Sequence, residues 1–495
     1  MSKPALKIGL EIHTQLLTNN KLFSLSKNST SNLSQRPNSA VSFFDVSLPG
    51  TQPTLNPECL LQGLKLATSL NCKINKISSF DRKHYFYGDQ PLGYQITQHY
   101  RPFATNGSIK LLKRHYDKLS RDLTIRIQQL QLEQDTGRSI YKTTDGNISQ
   151  IDFNRANIPL VELVTLPDFQ NIEEVRAFLQ FFTKLIKDLK ICTGELETGS
   201  VRVDVNVSVE GHQRVEIKNL PTTSAIVNAI RYEENRQREI LLNSKFNDKL
   251  INNSIETRGW DGKKTIHLRS KESAVDYRYV PDMELPLIKL NSDSIISNFN
   301  SILPKSFAES LDELMDSNNF SLSLRDAKVL LNNLEMLDFF KKCWELCGLP
   351  YKKKIINWLA HELVGSLTKS ELHFNSNTIK VESFVDLIEN VENGKITKGN
   401  GKLLLLHLVN NIPDQNRQIL DLANEFGMLV ETTDSKEIEN IVKQVILDND
   451  KVVKEIQDKK KVKKINFLIG QCMRATQGKI QPKEFEKYFI KLLHL

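Results

Sequence analysis

Between Lys7 and Leu16 the chain reads KIGLEIHTQL, with apolar Ile8, Leu10 and Ile12 alternating with Gly9, Glu11 and His13. A period of two is that of a β-strand, so one face is apolar and the other carries a carboxylate beside an imidazole. The same alternation recurs in LTIRIQQLQLEQD, IPLVELVTL, GSVRVDVNVSVEG and QRVEIKNL. In SVRVDVNVSVEGHQRVEIKN, Val201, Val203, Val205, Val207 and Val209 alternate with Arg202, Asp204, Asn206, Ser208 and Glu210. After Gly211 the chain returns with Val215 and Ile217 alternating with Glu216 and Lys218, which predicts a hairpin with one apolar face. A solvated outer face would explain its polar side. Asn and Asp are poor strand formers, however, so their place in mid-strand argues for a use.

Helical spacing lies between these strands. In NIEEVRAFLQFFTKLIKDLKI, Asn171 is a cap and Glu173 and Glu174 fall in the first turn. Val175, Phe178, Leu179, Phe182, Leu185, Ile186 and Leu189 follow as one buried stripe. A second helix runs through TTSAIVNAIRYEENRQREILL. Pro286 and the Asn/Ser-rich NSDSIISNFNS then read as a boundary, and beyond it strand signals thin out. Helical spacing takes over in LRDAKVLLNNLEMLDFFKKCWELCG, KKKIINWLAHELVGSL and NGKLLLLHLVNN, and NGKITKGNG reads as a helix–helix turn. A smaller helical unit with the run DKKKVKK closes the chain. The expected organisation is an α/β domain built on a mixed sheet over 1–292, an all-α domain over 293–412 and a helical tail over 413–495.

Composition fits this picture. The 495 residues are 39% hydrophobic and 25% charged, ordinary for a globular chain with a core. No run approaches the roughly 18 apolar residues of a membrane helix, and MSKPALK reads as neither a signal nor a transit peptide. The six cysteines, Cys59, Cys72, Cys192, Cys343, Cys347 and Cys472, form no C-x-x-C pair and read as buried free thiols. The net charge of +8 favours an anionic partner. P-loop, Rossmann, G-x-S-x-G and H-E-x-x-H signatures are all absent, so any nucleotide chemistry uses another scaffold.

Five groups from strand-like segments stand out: Glu11, His13, Glu133, Glu162 and Glu216. Glu162 has apolar neighbours on both sides, where a carboxylate usually meets a cation. Glu133 and Asp135 sit just before Gly137. If the strands share a sheet the carboxylates converge, and converging carboxylates repel unless a cation neutralises them. Mg²⁺ suits such a hard oxygen site and usually accompanies phosphate. Basic and aromatic residues supply the complement: Arg82, Lys83, His84, Tyr85, Phe86, Tyr87, Tyr94 and Arg101, then Arg258, Trp260, Arg269, Lys271, Arg278 and Tyr279. Such mixtures suit stacking and phosphate binding, although core aromatics with snorkelling cations explain part of them.

GLEIHTQL, FDRKHYFYGDQPLGYQITQ, LEQDTGRS, DFNRANIPLVELVTLPD, GSVRVDVNVSV, VEIKNLPTTSAIVNAIRYE, ETRGW, RSKESAVDYRYVPDMELP and FLIGQCMRATQGKIQP together resemble, in order, the B subunits of the glutamyl-tRNA(Gln) amidotransferases. The wording is most similar to the fungal mitochondrial form. The resemblance implies a cradle-shaped catalytic domain, a helical domain and a YqeY-like tail. It implies a mitochondrial carbon–nitrogen ligase that binds misacylated Glu-tRNA(Gln) and phosphorylates the glutamyl side chain with ATP and Mg²⁺. Ammonia then displaces phosphate to give Gln-tRNA(Gln). The implied partners are an A-type amidase, which hydrolyses glutamine, and a small third subunit of the F type.

The resemblance places the metal and catalytic site on Glu11, His13, Glu133 and Glu216, with Glu162 as a further metal ligand. Arg202, Lys218 and Arg278 become candidate phosphate contacts, with Arg155 a weaker one. In the tail, Lys463, Lys464, Arg474 and Lys479 become candidate tRNA contacts, within a basic set that includes Lys459, Lys460 and Lys461. Two departures stand out. Gln134 follows Glu133 where many members have a second Glu. Ser24, Ser26, Ser42 and Asp45 stand where many relatives hold zinc with cysteines, so no zinc is expected and packing is expected to hold that loop. The competing function is a non-catalytic tRNA-binding scaffold for an amidase, which would tolerate Glu216→Ala.

Overall fold

The computed structural model describes residues 4–28, 36–142, 148–244, 255–270, 276–348, 350–375, 377–431, 435–459 and 464–493. The chain forms two compact units, Met1–Ala308 and Glu309–Leu495. The predicted alternating segments all become strands of the first unit. The strands of that unit are, in chain order, β1 (Leu6–Gln15), β2 (Lys73–Ile74), β3 (Ile77–Ser78), β4 (Asp81–His84), β5 (Tyr94–Thr97), β6 (Ala104–Leu111), β7 (Leu123–Gln134) and β8 (Arg138–Lys142). There follow β9 (Ile148–Asp152), β10 (Pro159–Thr165), β11 (Val201–Val209), β12 (Val215–Leu220), β13 (Glu256–Trp260), β14 (Thr265–Ser270), β15 (Val280–Pro281) and β16 (Ile288–Lys289). The predicted ones are β1, β7, β10, β11 and β12.

Nine of them build one mixed sheet in the order β14-β13-β12-β11-β1-β10-β7-β6-β2. Every neighbouring pair is antiparallel except β12–β13, which runs parallel. The first strand thus lies inside the sheet, between β10 and β11. A three-stranded sheet, β15-β4-β5, carries the DRKH and GYQIT segments.

The core sits on the apolar side of the large sheet. Ile8, Leu10, Ile12, Val203, Val205 and Val207 are almost wholly buried together with Phe178, Phe182, Ile226 and Ile230. Those last four belong to helices α2 (Ile172–Asp188) and α3 (Thr223–Ser244), which follow α1 (Pro57–Ser69) in the chain. The hydrophobic stripe drives α2 inward, and Asn171 starts it by accepting from the Glu174 backbone N–H at 3.0 Å. Glu174 answers by accepting from the Gln170 N–H at 2.7 Å, a reciprocal cap. The Asn/Ser-rich stretch read as a boundary is instead helix α4 (Ser292–Ile302), because Asn291 caps it and Phe299 is buried in the core of the first unit. The second unit is helical, and its last segment has its own cluster around Val442, Ile456, Leu468, Phe485 and Phe489. All six cysteines are buried and unbridged. No described helix is long and apolar enough to cross a membrane.

Candidate active site

The register of the sheet brings the polar side chains of four strands into one row. His13 pairs with Glu162 on β10 and with Arg202 on β11, and Glu162 pairs in turn with Gln131 on β7. Residues opposite one another in a sheet share a face, so an amide, a carboxylate, an imidazole and a guanidinium lie side by side. Glu133, two positions beyond Gln131, completes the group. His13 Nδ1 donates to Glu133 Oε1 at 2.8 Å. Gln131 Nε2 donates to Glu162 Oε2, and to Thr97 Oγ1 at 3.3 Å. One ligand atom each from His13, Glu133 and Glu162 lies within 4.8 Å of the other two.

The electrostatics follow from crowding in a buried place. Burial opposes the imidazolium of His13, but Glu162 and Glu133 outweigh it and raise its pKa to about 9. Burial pushes the Glu133 carboxyl up, but His13 overrides this and holds it down at about 2. Glu162 goes the other way: burial, then the charge of Glu133, raises it to about 7. One of two neighbouring carboxylates is therefore hard to ionise unless a cation comes between them. Two carboxylates and one imidazole fit a divalent cation, and the carboxylates are the donors Mg²⁺ favours.

A cavity of about 500 Å³ opens over this row and is lined by His13, Lys83, Glu133, Asp135, Thr198, Gly199, Arg202 and Asp204 among others. Arg202 is held by Asp135, Nη2 to Oδ2 at 3.0 Å, while its buried Nε has no hydrogen-bond partner among the described residues. Asp135 also accepts from Gln15 Nε2 at 3.3 Å and from the Thr136 N–H at 2.9 Å. Gly199 adopts φ +79°, and a Cβ there would meet no atom within 4 Å, so bare backbone borders the cavity at this point. Lys83 lies on β4, and its ammonium is 4.7 Å from the centre of the Tyr277 ring. Burial works against that charge, but Glu133 and other neighbours raise its pKa.

The other predicted site residues are distributed nearby. Glu11 accepts from Asn206 Nδ2 at 2.8 Å and is outside the close trio, although its charge acts on Glu162. Glu216 is on β12, where Lys218 Nζ is 2.9 Å from Oε1 and Thr257 Oγ1 donates to Oε2 at 3.1 Å. Lys218 also reaches Asp204 at 3.4 Å. Burial opposes its ammonium, but Asp204 and Glu216 outweigh burial and raise its pKa. The structure thus draws two groups, one at His13–Glu133–Glu162 and one at Glu216–Lys218–Asp204. Gln134 turns to the neighbouring β5, its Nε2 3.5 Å from the Tyr94 carbonyl, so of the Glu133–Gln134 pair only Glu133 reaches His13. Arg278 is exposed, with its guanidinium 3.9 Å from Asp276, and does not line the cavity. Arg155 donates to the Thr136 and Gly137 carbonyls at 2.9 and 2.7 Å, a structural use of its donors.

In the second unit, Lys464 precedes the helix Ile465–Ala475, Arg474 lies exposed in its last turn, and Lys479 pairs with Glu431 at 2.8 Å. Lys460, Lys461, Lys463 and Lys271 lie outside the described residues. Gln131 was not singled out, while Lys83 and Asp135 were noted in the sequence without being assigned a place in the site. The alternation in QLQLEQ puts Gln131 on the face of Glu133, which was a usable signal. Lys83 was marked only as one of a basic and aromatic cluster, and because β4 belongs to a different sheet nothing local says that it reaches this cavity.

The family model described as the GatB/GatE catalytic domain matches residues 6–296, and that of the GatB domain matches 338–493. The chain belongs to this family of amidotransferase B subunits. It is 45% identical to the B subunit of the mitochondrial glutamyl-tRNA(Gln) amidotransferase of Zygosaccharomyces rouxii, over 99% of this chain and 95% of that protein. It is 45% identical to the corresponding protein of Komagataella phaffii, over 98% of both chains. The Saccharomyces cerevisiae protein of the same name is 43% identical over 99% of this chain and 95% of its own length.

Proposed function

We propose that this chain is the B subunit of a mitochondrial glutamyl-tRNA(Gln) amidotransferase. It phosphorylates the glutamyl side chain of Glu-tRNA(Gln) with ATP and passes the acyl phosphate to ammonia, a glutamine-dependent carbon–nitrogen ligase reaction. The observation that carries the reading is the row Glu162–His13–Arg202 with Glu133, set under a cavity in a chain of this family. The sheet-bearing residues through the end of α4 do the chemistry and take the aminoacyl end, the helices that follow up to about residue 412 form the helical domain, and 413–495 bind tRNA. An A-type amidase partner supplies ammonia, and a small F-type subunit completes the assembly.

Glu133, Glu162 and His13 would hold a magnesium ion, with Glu11 two positions before His13 on β1 and Glu216 on β12. Such an ion, when bound, would supply positive charge against that of the phosphates. Arg202, clamped by Asp135 and lining the cavity, offers its guanidinium to a phosphate oxygen. Lys83 and Lys218 add positive charge on either side of the row. The backbone at Gly199 lets a ligand approach closely. An acyl phosphate is lost to water, so ammonia has to arrive by a sheltered path. Reconstitution of the chain with its amidase partner, Glu-tRNA(Gln), glutamine, ATP and Mg²⁺ tests this. Glu133→Gln is expected to keep tRNA binding and lose ATP-dependent Gln-tRNA(Gln) formation. Product formed without ATP, or a fully active Glu133→Gln complex, overturns the kinase role.

A further inference from the structure

The second unit contains another cavity, of about 530 Å³, between the start of the helix Lys398–Asn410, the turn after Phe426 and the turn at Gln477–Gly478. Its frame is fixed by one side chain. The buried Asn400 amide nitrogen reaches the carbonyls of Met428 at 3.2 Å, Gln477 at 3.3 Å and Gly478 at 3.2 Å. A Cβ at residue 478 would come within 2.7 Å of Asn400 Oδ1, and φ there is +72°, so the close approach depends on glycine. The two turns are thus tied to one helix, and the cavity between them is built rather than incidental.

Its lining is of two kinds. Phe426, Met428 and Met473 give an aromatic ring and two thioethers, and Phe426 is 41% exposed. Arg474 and Gln477, both exposed, bring planar hydrogen-bonding heads that have no side-chain partner among the described residues. A soft apolar slot with an aromatic wall takes any flat ring face, and a guanidinium and an amide beside it match the edge of a base. We propose that this cavity takes one unstacked nucleobase of the bound tRNA, held face-on by Phe426 and Met473 and edge-on by Arg474 and Gln477. The proposal rests on the reading of the chain as a tRNA-binding subunit.

Stacking and phosphate pairing are told apart by salt. Losing a phosphate contact flattens the dependence of log affinity on log salt concentration, whereas losing a stacked base lowers affinity at every salt concentration alike. The test is binding of a tRNA(Gln) transcript to the full chain across a salt series. Phe426→Leu, which keeps the apolar volume, is expected to weaken binding roughly five- to a hundredfold with an unchanged slope. Phe426→Trp is expected to restore it. Wild-type affinity in Phe426→Leu, or a loss that appears as a changed slope, overturns the proposal. So does unchanged tRNA binding with loss of a co-purifying partner subunit, which would make the cavity a peptide dock. A wild-type chain that binds no tRNA overturns the underlying reading along with it.

Discussion

Lys21 and Asp45 illustrate how one residue pair can organise a loop. Both side chains are fully buried, with Nζ and Oδ2 3.0 Å apart. Asn157 Nδ2 donates to the other carboxylate oxygen at 3.1 Å, the Ser42 N–H donates to Oδ2 at 2.9 Å, and Lys21 also donates to the Phe153 carbonyl at 3.3 Å. Packing alone was expected to hold this loop. The structure adds a buried, hydrogen-bonded ion pair, one end of which is the Asp45 of the serine-rich set. Removing one partner of such a pair strands the other charge. Lys21→Met is expected to cost about 3–5 kcal/mol, read as a fall in unfolding free energy in denaturant. Lys21→Met with Asp45→Leu is expected to recover most of that loss, because no charge is then left buried. A single variant as stable as the parent would show that water or another group satisfies Asp45.

At the scale of elements, hydrophobic alternation revealed the five central strands β12, β11, β1, β10 and β7 of the nine-stranded sheet, because one face is packed and the period survives in the sequence; in the outer strands β14, β13, β6 and β2 no such alternation was read. Strand order was not legible. Nothing in KIGLEIHTQL tells it to lie between β10 and β11, whose segments begin about 150 and 190 residues later. That order determines which carboxylates meet: it brings Glu162 against His13 and leaves Glu216, beside Lys218 on its own strand β12, two strands away from β1. The sequence thus named the acidic side chains but not their division into two groups. Helix α2 was legible down to its cap, since capping is local. Asn171→Ala removes the acceptor for the Glu174 N–H and is expected to cost about 1 kcal/mol in an equilibrium unfolding experiment. Asn171→Ser is expected to keep most of the stability. If both variants lose equally, helix entry rests on the Phe178–Phe182 face and not on the cap.

Over the whole molecule, the change of texture seen in the sequence corresponds to two kinds of core. The first unit packs helices on a sheet, while the second buries Leu330, Phe340, Trp358, Phe384 and Leu404 among helices. The compact division falls after Ala308, later than composition suggested, because α4 spends its Phe299 on the first core. A cut before Pro304 leaves α4 and the following helix Phe307–Met315 whole. Residues 304–495 made alone are expected to unfold cooperatively with a helical circular dichroism spectrum, since each buried cluster named there lies within them. They are also expected to bind tRNA(Gln) with an affinity that falls steeply as salt rises, whereas residues 1–303 are expected to take up Mg²⁺ measured by calorimetry. A second fragment that melts without a cooperative transition would mean that its core depends on the first unit. One that folds yet leaves tRNA binding with residues 1–303 would move RNA recognition to the sheet-bearing unit.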